Sequence, residues 1–166
     1  MTPDDLVLAA LEVAEAGLRA GEQPIGAVVA VGDEIVSRAY TQEKALGRRL
    51  VHADLLAMVA ADELLGWRRR EGPLRLAVTL EPCVMCLGAA MMLGVREVSY
   101  ALESPSDGGA RIAGEWTTSP DAPWFAAPAM RGGIRREESR ALFRRYCHTA
   151  PAGPVRDWVW TLLTDR

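Results

Sequence analysis

The stretch 74–102, "LRLAVTLEPCVMCLGAAMMLGVREVSYAL", limits the fold more than any other part of the chain. It opens and closes with short apolar runs, "LRLAVTL" and "VREVSYAL". Runs of that length without a polar face predict buried strands. Between them lies a helix-forming run with Pro82 near its first position and Gly94 at its end. Strand, helix and strand so close together form a crossover unit, and the two strands must then be parallel.

The flanking sequence extends this unit on both sides. Thr2 can cap a first helix, with Pro3 as its first residue and Asp4 and Asp5 against its dipole. Leu6, Ala9, Ala10, Val13, Ala14, Gly17 and Leu18 then form one apolar stripe at helical spacing. "IGAVVAV" and "EIVSRAY" flank "GD" and predict a hairpin. "TQEKALGRRL" reads as a polar loop, His52 to Leu65 as a helix stopped by Gly66, and "WRRREG" as a charged connection. Residues 103–134 are rich in Gly, Pro and Ser and carry Trp116, Trp124 and Phe125, which predicts an irregular, lid-like segment. Residues 135–147 return to a helix, and "PVRDWVWTLLTDR" reads as a final short helix or strand. Trp158 and Trp160 alternate, as on one face of a strand or of a tail packed on the core. The expected architecture is a three-layer α/β/α sandwich: one domain over residues 1–166, with C-terminal helices in 135–166.

Composition narrows the function classes. The chain has 166 residues, 49% of them hydrophobic, enough for one sizeable core. A net charge of −3 argues against a protein that mainly grips nucleic acid backbones. Arg136, Arg140 and Arg144 do share one helix face, but Glu137 and Glu138 are at hand to pair with them. Cys83, Cys86 and Cys147 make an odd count, unlike a disulfide framework. The N-terminal residues lack the basic start of a signal peptide, and no apolar run approaches a bilayer span. A cytoplasmic, reducing setting without membrane contact is expected, with the cysteines free or metal-bound.

Cys83 and Cys86 stand three apart at a helix start, so both thiols project from one face. Zinc favours soft thiolate and imidazole ligands in a tetrahedral shell, and a catalytic zinc keeps three protein ligands and one open position. His52 in "RLVHADLLAM" supplies the third ligand, and no fourth is obvious; Cys147 and His148 are the only spares. The helix N-termini favour anions there and lower the thiolate pKa. A proton shuttle must then be present that is not a ligand. Asp54 stands two residues beyond His52, roughly 3 Å further along the helix axis. Two plainer readings compete: a redox-active pair, which lacks its usual Trp-Cys-Gly-Pro surroundings, and buried cysteines without metal. The joint pattern of His-x-acid and Pro-Cys-x-x-Cys after a strand matches the H-x-E…P-C-x-x-C signature of zinc deaminases at all but one position.

With these residues in view, "VTLEPCVMCLGAAMMLGVREVSYA", "QPIGAVVAVGDEIVSRAY" and "VHADLLAM" resemble the cytidine deaminase-like superfamily. The branch is that of tRNA adenosine deaminases, guanine deaminases and small nucleoside deaminases, and the similarity covers roughly residues 5 to 103. The resemblance implies a mixed five-stranded sheet, a homodimer, zinc as cofactor and hydrolytic removal of an exocyclic amine from a base. It implies zinc on His52, Cys83 and Cys86, with Asp54 where the family has a glutamate that carries protons. The backbone N–H of Cys83 would support the attacking oxygen. Gly26, Ala27, Val28 and Ala53 would line the base pocket, with Thr41 where the tRNA enzymes carry an asparagine that touches the ribose. Glu103 and Trp116, from the irregular segment, complete the expected substrate contacts. Glu81, in "TLEPC", is expected to be structural.

The chain departs from the family at Asp54, at Thr41 and at "ALESPSDGGARIAGEW", which lacks the "ARDAKTGA"-like run of the tRNA enzymes. With the net charge, these departures favour a free nucleobase, nucleoside or base analogue of guanine or adenosine type over tRNA. A tRNA adenosine-to-inosine deaminase and a catalytically silent zinc-binding homologue are the alternatives. Aspartate is one methylene shorter than glutamate, so its carboxylate retracts by about 1.5 Å. The intrinsic pKa values differ by only about 0.4. Reach is therefore the larger effect of the substitution.

Overall fold

The computed structural model describes residues 1–67 and 71–164. In chain order the elements are α1 (Pro3–Arg19), β1 (Gly26–Val31), β2 (Glu34–Tyr40), α2 (Glu43–Leu46), α3 (Ala53–Leu65) and β3 (Leu74–Leu80). There follow α4 (Val84–Leu93), β4 (Glu97–Leu102), α5 (Ala110–Glu115), β5 (Ala129–Arg131), α6 (Arg136–Thr149) and α7 (Pro154–Leu163). The central arginines of "WRRREG" and the last two residues of the C-terminal stretch lie outside the described residues. No helix among the described residues is long and apolar enough to cross a membrane.

The five strands form one mixed sheet in the order β2-β1-β3-β4-β5. β1 pairs antiparallel with β2 and β3, whereas β3, β4 and β5 run parallel. The expected crossover is thus β3-α4-β4, with Leu76 opposite Val98 and Val78 opposite Tyr100. Strand periodicity assigns the two faces. Ala27 and Val29 join the core beneath α3 and α4 with Leu76, Val78 and Val98. Val28 and Ala30 join the opposite core beneath α1, with Ala77, Ala101 and Leu142 of α6. A third cluster seats Phe143 and Cys147 of α6 and Val159 and Leu162 of α7 on Leu80 and Leu102, the last residues of β3 and β4. The C-terminal helix therefore sits at the carboxyl ends of the parallel strands, where open α/β sheets bind ligands.

α1 starts as its sequence demands. Thr2 Oγ1 accepts from Asp5 N–H at 3.2 Å and Asp5 Oδ2 accepts from Thr2 N–H at 2.8 Å, a reciprocal cap. At the other end of its packing face, Gly26 lets β1 approach the α1 backbone. A Cβ added there would stand 2.4 Å from Ala10 O and 2.4 Å from Ala14 N, both main-chain atoms that cannot turn aside. Gly26→Ala should therefore lower stability by at least the 1–3 kcal/mol or so usual for overpacking. Urea unfolding checks it; an unchanged midpoint would mean that the two elements part easily.

Four expectations are revised. Within the expected polar loop, Glu43–Leu46 form the single turn α2. The buried Glu22 makes it possible by accepting from Lys44 N–H at 3.1 Å and Ala45 N–H at 2.6 Å, which satisfies the free donors of the turn from a distant segment. Cys83, rather than Pro82, begins α4, as its N-cap. The irregular 103–134 segment holds α5 and β5, the fifth strand of the sheet. Residues 154–163 are helical, so Trp158 and Trp160 point to different sides. Trp158 turns toward the core cluster of Leu80 and Phe143, while Trp160 is exposed and meets His148 edge to face.

Candidate metal centre and active site

Two helix N-termini meet at the carboxyl end of β3. His52 is the N-cap of α3 and Cys83 the N-cap of α4, and neither spends its side chain on capping. Both side chains are thereby free to face each other, and Cys86 joins them from the first turn of α4. His52 Nδ1 lies 3.6 Å from Cys83 Sγ and 3.7 Å from Cys86 Sγ. All three donor atoms lie within 4.8 Å of one another. Zinc bonds of about 2.0 Å to nitrogen and about 2.3 Å to sulfur, at tetrahedral angles, separate N and S by about 3.6 Å. The donor set and its spacing thus fit a zinc ion. The spare candidates are elsewhere: Cys147 is buried in the α6–α7 cluster and His148 packs on Trp160.

Without metal the three groups share protons. Hydrogen bonding to the Cys86 thiol holds Cys83 down to about 4, against desolvation, and His52 adds to the effect. The bond to Cys83 pushes His52 up to about 9, against burial. Cys86 is pushed far above the usual thiol range by its bond to Cys83 and by burial. At neutral pH the free site therefore holds protons on His52 and Cys86 that a bound zinc must expel. Because the free form binds more protons than the loaded one, zinc affinity must fall as pH falls. Chelator competition at pH 6 and pH 8 should show the tighter site at pH 8; equal affinities would contradict this proton inventory.

Asp54 is the second residue of α3 and is buried, with 4% of its surface exposed. Its Oδ1 accepts from the Cys86 thiol at 3.1 Å and from Leu55 N–H at 3.2 Å. Desolvation raises its carboxyl above the ordinary range, and the Cys86 bond opposes that only in part. Asp54 is not one of the three clustered ligands. It borders a cavity of about 320 Å³ together with His52, Ala53 and Cys83. That volume lies at the lower end of the small-molecule range.

The remaining walls come from several elements. Thr41, Glu43, Gln23 and Ile25 form one side, and Val78, Leu80 and Glu81 come from the end of β3 and the turn after it. Pro154, Val155 and Trp158 of α7 complete the lining. Trp158 Nε1 donates to Ser106 Oγ at 3.1 Å, which ties α7 to the segment after β4. Glu81 fixes the same segment from below, accepting from Ser104 N–H at 3.0 Å and Ala110 N–H at 2.8 Å. The close approach needs Gly108, where a Cβ would fall 2.3 Å from the Glu81 carboxylate.

Of the residues expected at the site, His52, Ala53, Asp54, Cys83 and Thr41 border the cavity, and Cys86 completes the ligand cluster. Gly26, Ala27 and Val28 instead lie within β1, and their neighbour Ile25 is the one on the cavity. They are buried residues of the sheet, and none of the three borders the cavity. Glu103 pairs with Arg136 on the surface, and Trp116 packs edge to face on Phe125 with centroids 5.6 Å apart. Neither borders the cavity. Asp54 is also not the only acid present, since Glu43, Glu81 and Asp107 share the cavity wall. Glu43 and Trp158 had no local signal: each reaches the site through an element whose position is set by tertiary packing.

Comparison with known proteins agrees with this geometry. The family model described as the cytidine and deoxycytidylate deaminase zinc-binding region matches residues 2–102. A tRNA-specific adenosine deaminase of Bacillus subtilis is 38% identical over 109 residues, covering 65% of this chain and 67% of that protein. One from Agrobacterium fabrum is 31% identical over 139 residues, covering 84% and 89%. A solved structure from a study of A-to-I editing by tRNA:A34 deaminases superposes with a TM-score of 0.71 at 28% identity, over 83% of this chain and 98% of that one. A guanine deaminase from Nitrosomonas europaea shares the fold with a TM-score of 0.68 at 24% identity, over 87% and 84%.

Proposed function

The chain belongs to the cytidine and deoxycytidylate deaminase zinc-binding family, and from that premise we propose that this zinc-dependent hydrolytic deaminase acts on a small substrate. The substrate is a free nucleobase, nucleoside or base analogue, with a purine of guanine or adenosine type favoured. The observation that carries this reading is the size of the cavity: about 320 Å³ beside the ligand cluster, bordered on one side by Pro154, Val155 and Trp158 of α7. A single base or nucleoside matches such a volume.

Water adds to the amine-bearing ring carbon, the C–N bond breaks, and the products are the carbonyl form of the base and ammonia. Zinc, when held by His52, Cys83 and Cys86, supplies a Lewis acid that makes water nucleophilic at neutral pH. Asp54 would take one proton from the attacking water and pass it to the ring nitrogen, then take the second from the added hydroxyl and pass it to the amine, which leaves as ammonia. Burial raises the Asp54 carboxyl above the ordinary carboxylate range, the direction that suits a group that must both accept and donate. The N–H of Cys83, the N-cap of α4, would support the attacking oxygen. Val78 and Leu80 give the base an apolar surface. The exposed apolar Val59, Val84 and Met92 on α3 and α4 support a homodimer, and the free thiols suit a reducing cytoplasm.

A second reading rests on the relatives, since tRNA-specific adenosine deaminases are among them. Against it stands the engagement of the α6 arginines: Arg136 pairs with Glu103, and Arg140 and Arg144 with Glu137. An ammonia-release screen over adenine, guanine, cytosine, their nucleosides and analogues, run beside a tRNA gel shift at two salt concentrations, separates the two. Release from a base or nucleoside without a salt-sensitive tRNA shift is expected. Turnover confined to tRNA would overturn the small-substrate reading.

A further inference from the structure

The two nitrogens of His52 face different partners. Nδ1 points at the thiols of Cys83 and Cys86. Nε2 lies 3.8 Å from Glu43 Oε1, within ion-pair range though longer than a hydrogen bond. An imidazole that gives one nitrogen to a metal keeps its proton on the other, and a carboxylate facing that proton fixes both tautomer and ring orientation. Glu43 Oε2 lies 3.3 Å from the hydroxyl of the buried Thr41, which shares its one proton between Glu43 and Val51 O, also at 3.3 Å. The turn that carries it is pinned by the buried Glu22 carboxylate, on the main-chain N–H groups of the two residues after Glu43. A buried acid thus anchors a one-turn helix whose first residue aims a second acid at the outer nitrogen of the ligand histidine.

We infer that Glu43 is a positioning residue that orients His52 for zinc through Nε2, the reason this loop is built around Glu22. The inference rests on the zinc-site reading above and goes beyond it by assigning a role to a residue outside the ligand set. Glu43 is part-exposed at the first position of its turn, so its replacement leaves the core untouched.

The test measures zinc affinity by chelator competition for wild type, Glu43→Ala and Glu43→Gln, with the melting temperature of each metal-free protein. Glu43→Ala should bind zinc about 10- to 100-fold more weakly, the range found when partners of ligating histidines are removed. Glu43→Gln should recover part of that loss, because its amide oxygen can accept the same N–H. All three metal-free proteins should melt together. Equal zinc affinity for wild type and Glu43→Ala overturns the inference alone, as does a raised KM at unchanged affinity, which would make Glu43 a substrate contact. Equal losses in both variants that follow metal-free stability also overturn it, leaving a purely structural residue. A wild-type protein that takes up no zinc overturns this inference together with the zinc-site reading.

Discussion

Asp54→Asn should keep its zinc and lose about 10²- to 10⁴-fold in kcat, the usual contribution of a general acid–base group. Asparagine has the same shape, and its side-chain oxygen can still accept from Leu55 N–H, the bond to Asp54 Oδ1 that remains once zinc has expelled the Cys86 proton. What it cannot do is carry a proton. Because Asp54 lies outside the ligand cluster, metal content should not change. Kinetics and zinc analysis on the same sample give both numbers. A variant that loses zinc along with turnover would make Asp54 a ligand or a support for one. A variant that keeps both would remove it from the chemistry.

Cys86→Ser should be as damaging by a different route. Cys86 is fully buried and contributes one of only two sulfurs in the cluster. Serine is nearly the same size and can donate to Asp54 as the thiol does, so the fold should survive. Its neutral hydroxyl is a poor zinc ligand where a soft thiolate is needed. Zinc affinity should fall by more than the roughly 10- to 100-fold typical of an outer partner, and ammonia release should fall in proportion to zinc content. Full occupancy with normal turnover would exclude Cys86 from the ligand set. Taken together the two variants separate holding the metal from moving the proton.

The residues that build the sheet and the metal cluster were legible because their signals are local. The runs that flank "GD" in the β1–β2 hairpin, the Thr2 cap, the glycines that stop α3 and α4, and the Cys-x-x-Cys spacing each act within a few residues. His52 became interpretable only alongside the cysteines, through a long-range meeting that the crossover between β3 and β4 makes necessary. What the sequence hid depends on partners far along the chain. α2 exists because Glu22 caps it, and β5 is a three-residue strand recruited by the edge of β4. The cavity wall was misplaced by one residue at β1, because Ile25 precedes the strand whose own side chains are consumed by the two cores. Trp116 was expected at the substrate on its aromatic character alone, and it spends its face on Phe125. Trp158 takes the place at the cavity because α7 is a helix that docks on Leu80 and Leu102.

The aspartate is where local reasoning was least decisive. Its carboxylate is shorter in reach, yet the structure leaves it buried against the cavity and bonded to a thiol of the metal cluster. The account holds that the site works with the shorter acid in place. Ammonia release by zinc-loaded wild type and by Asp54→Glu, over one panel of bases and nucleosides, tests that claim most directly. The wild type should release ammonia from at least one member, and Asp54→Glu should be no faster, since a longer acid on the cavity wall shifts the carboxylate away from the place where Asp54 holds it. A wild type silent across the panel, beside an Asp54→Glu variant that turns over, would contradict the account.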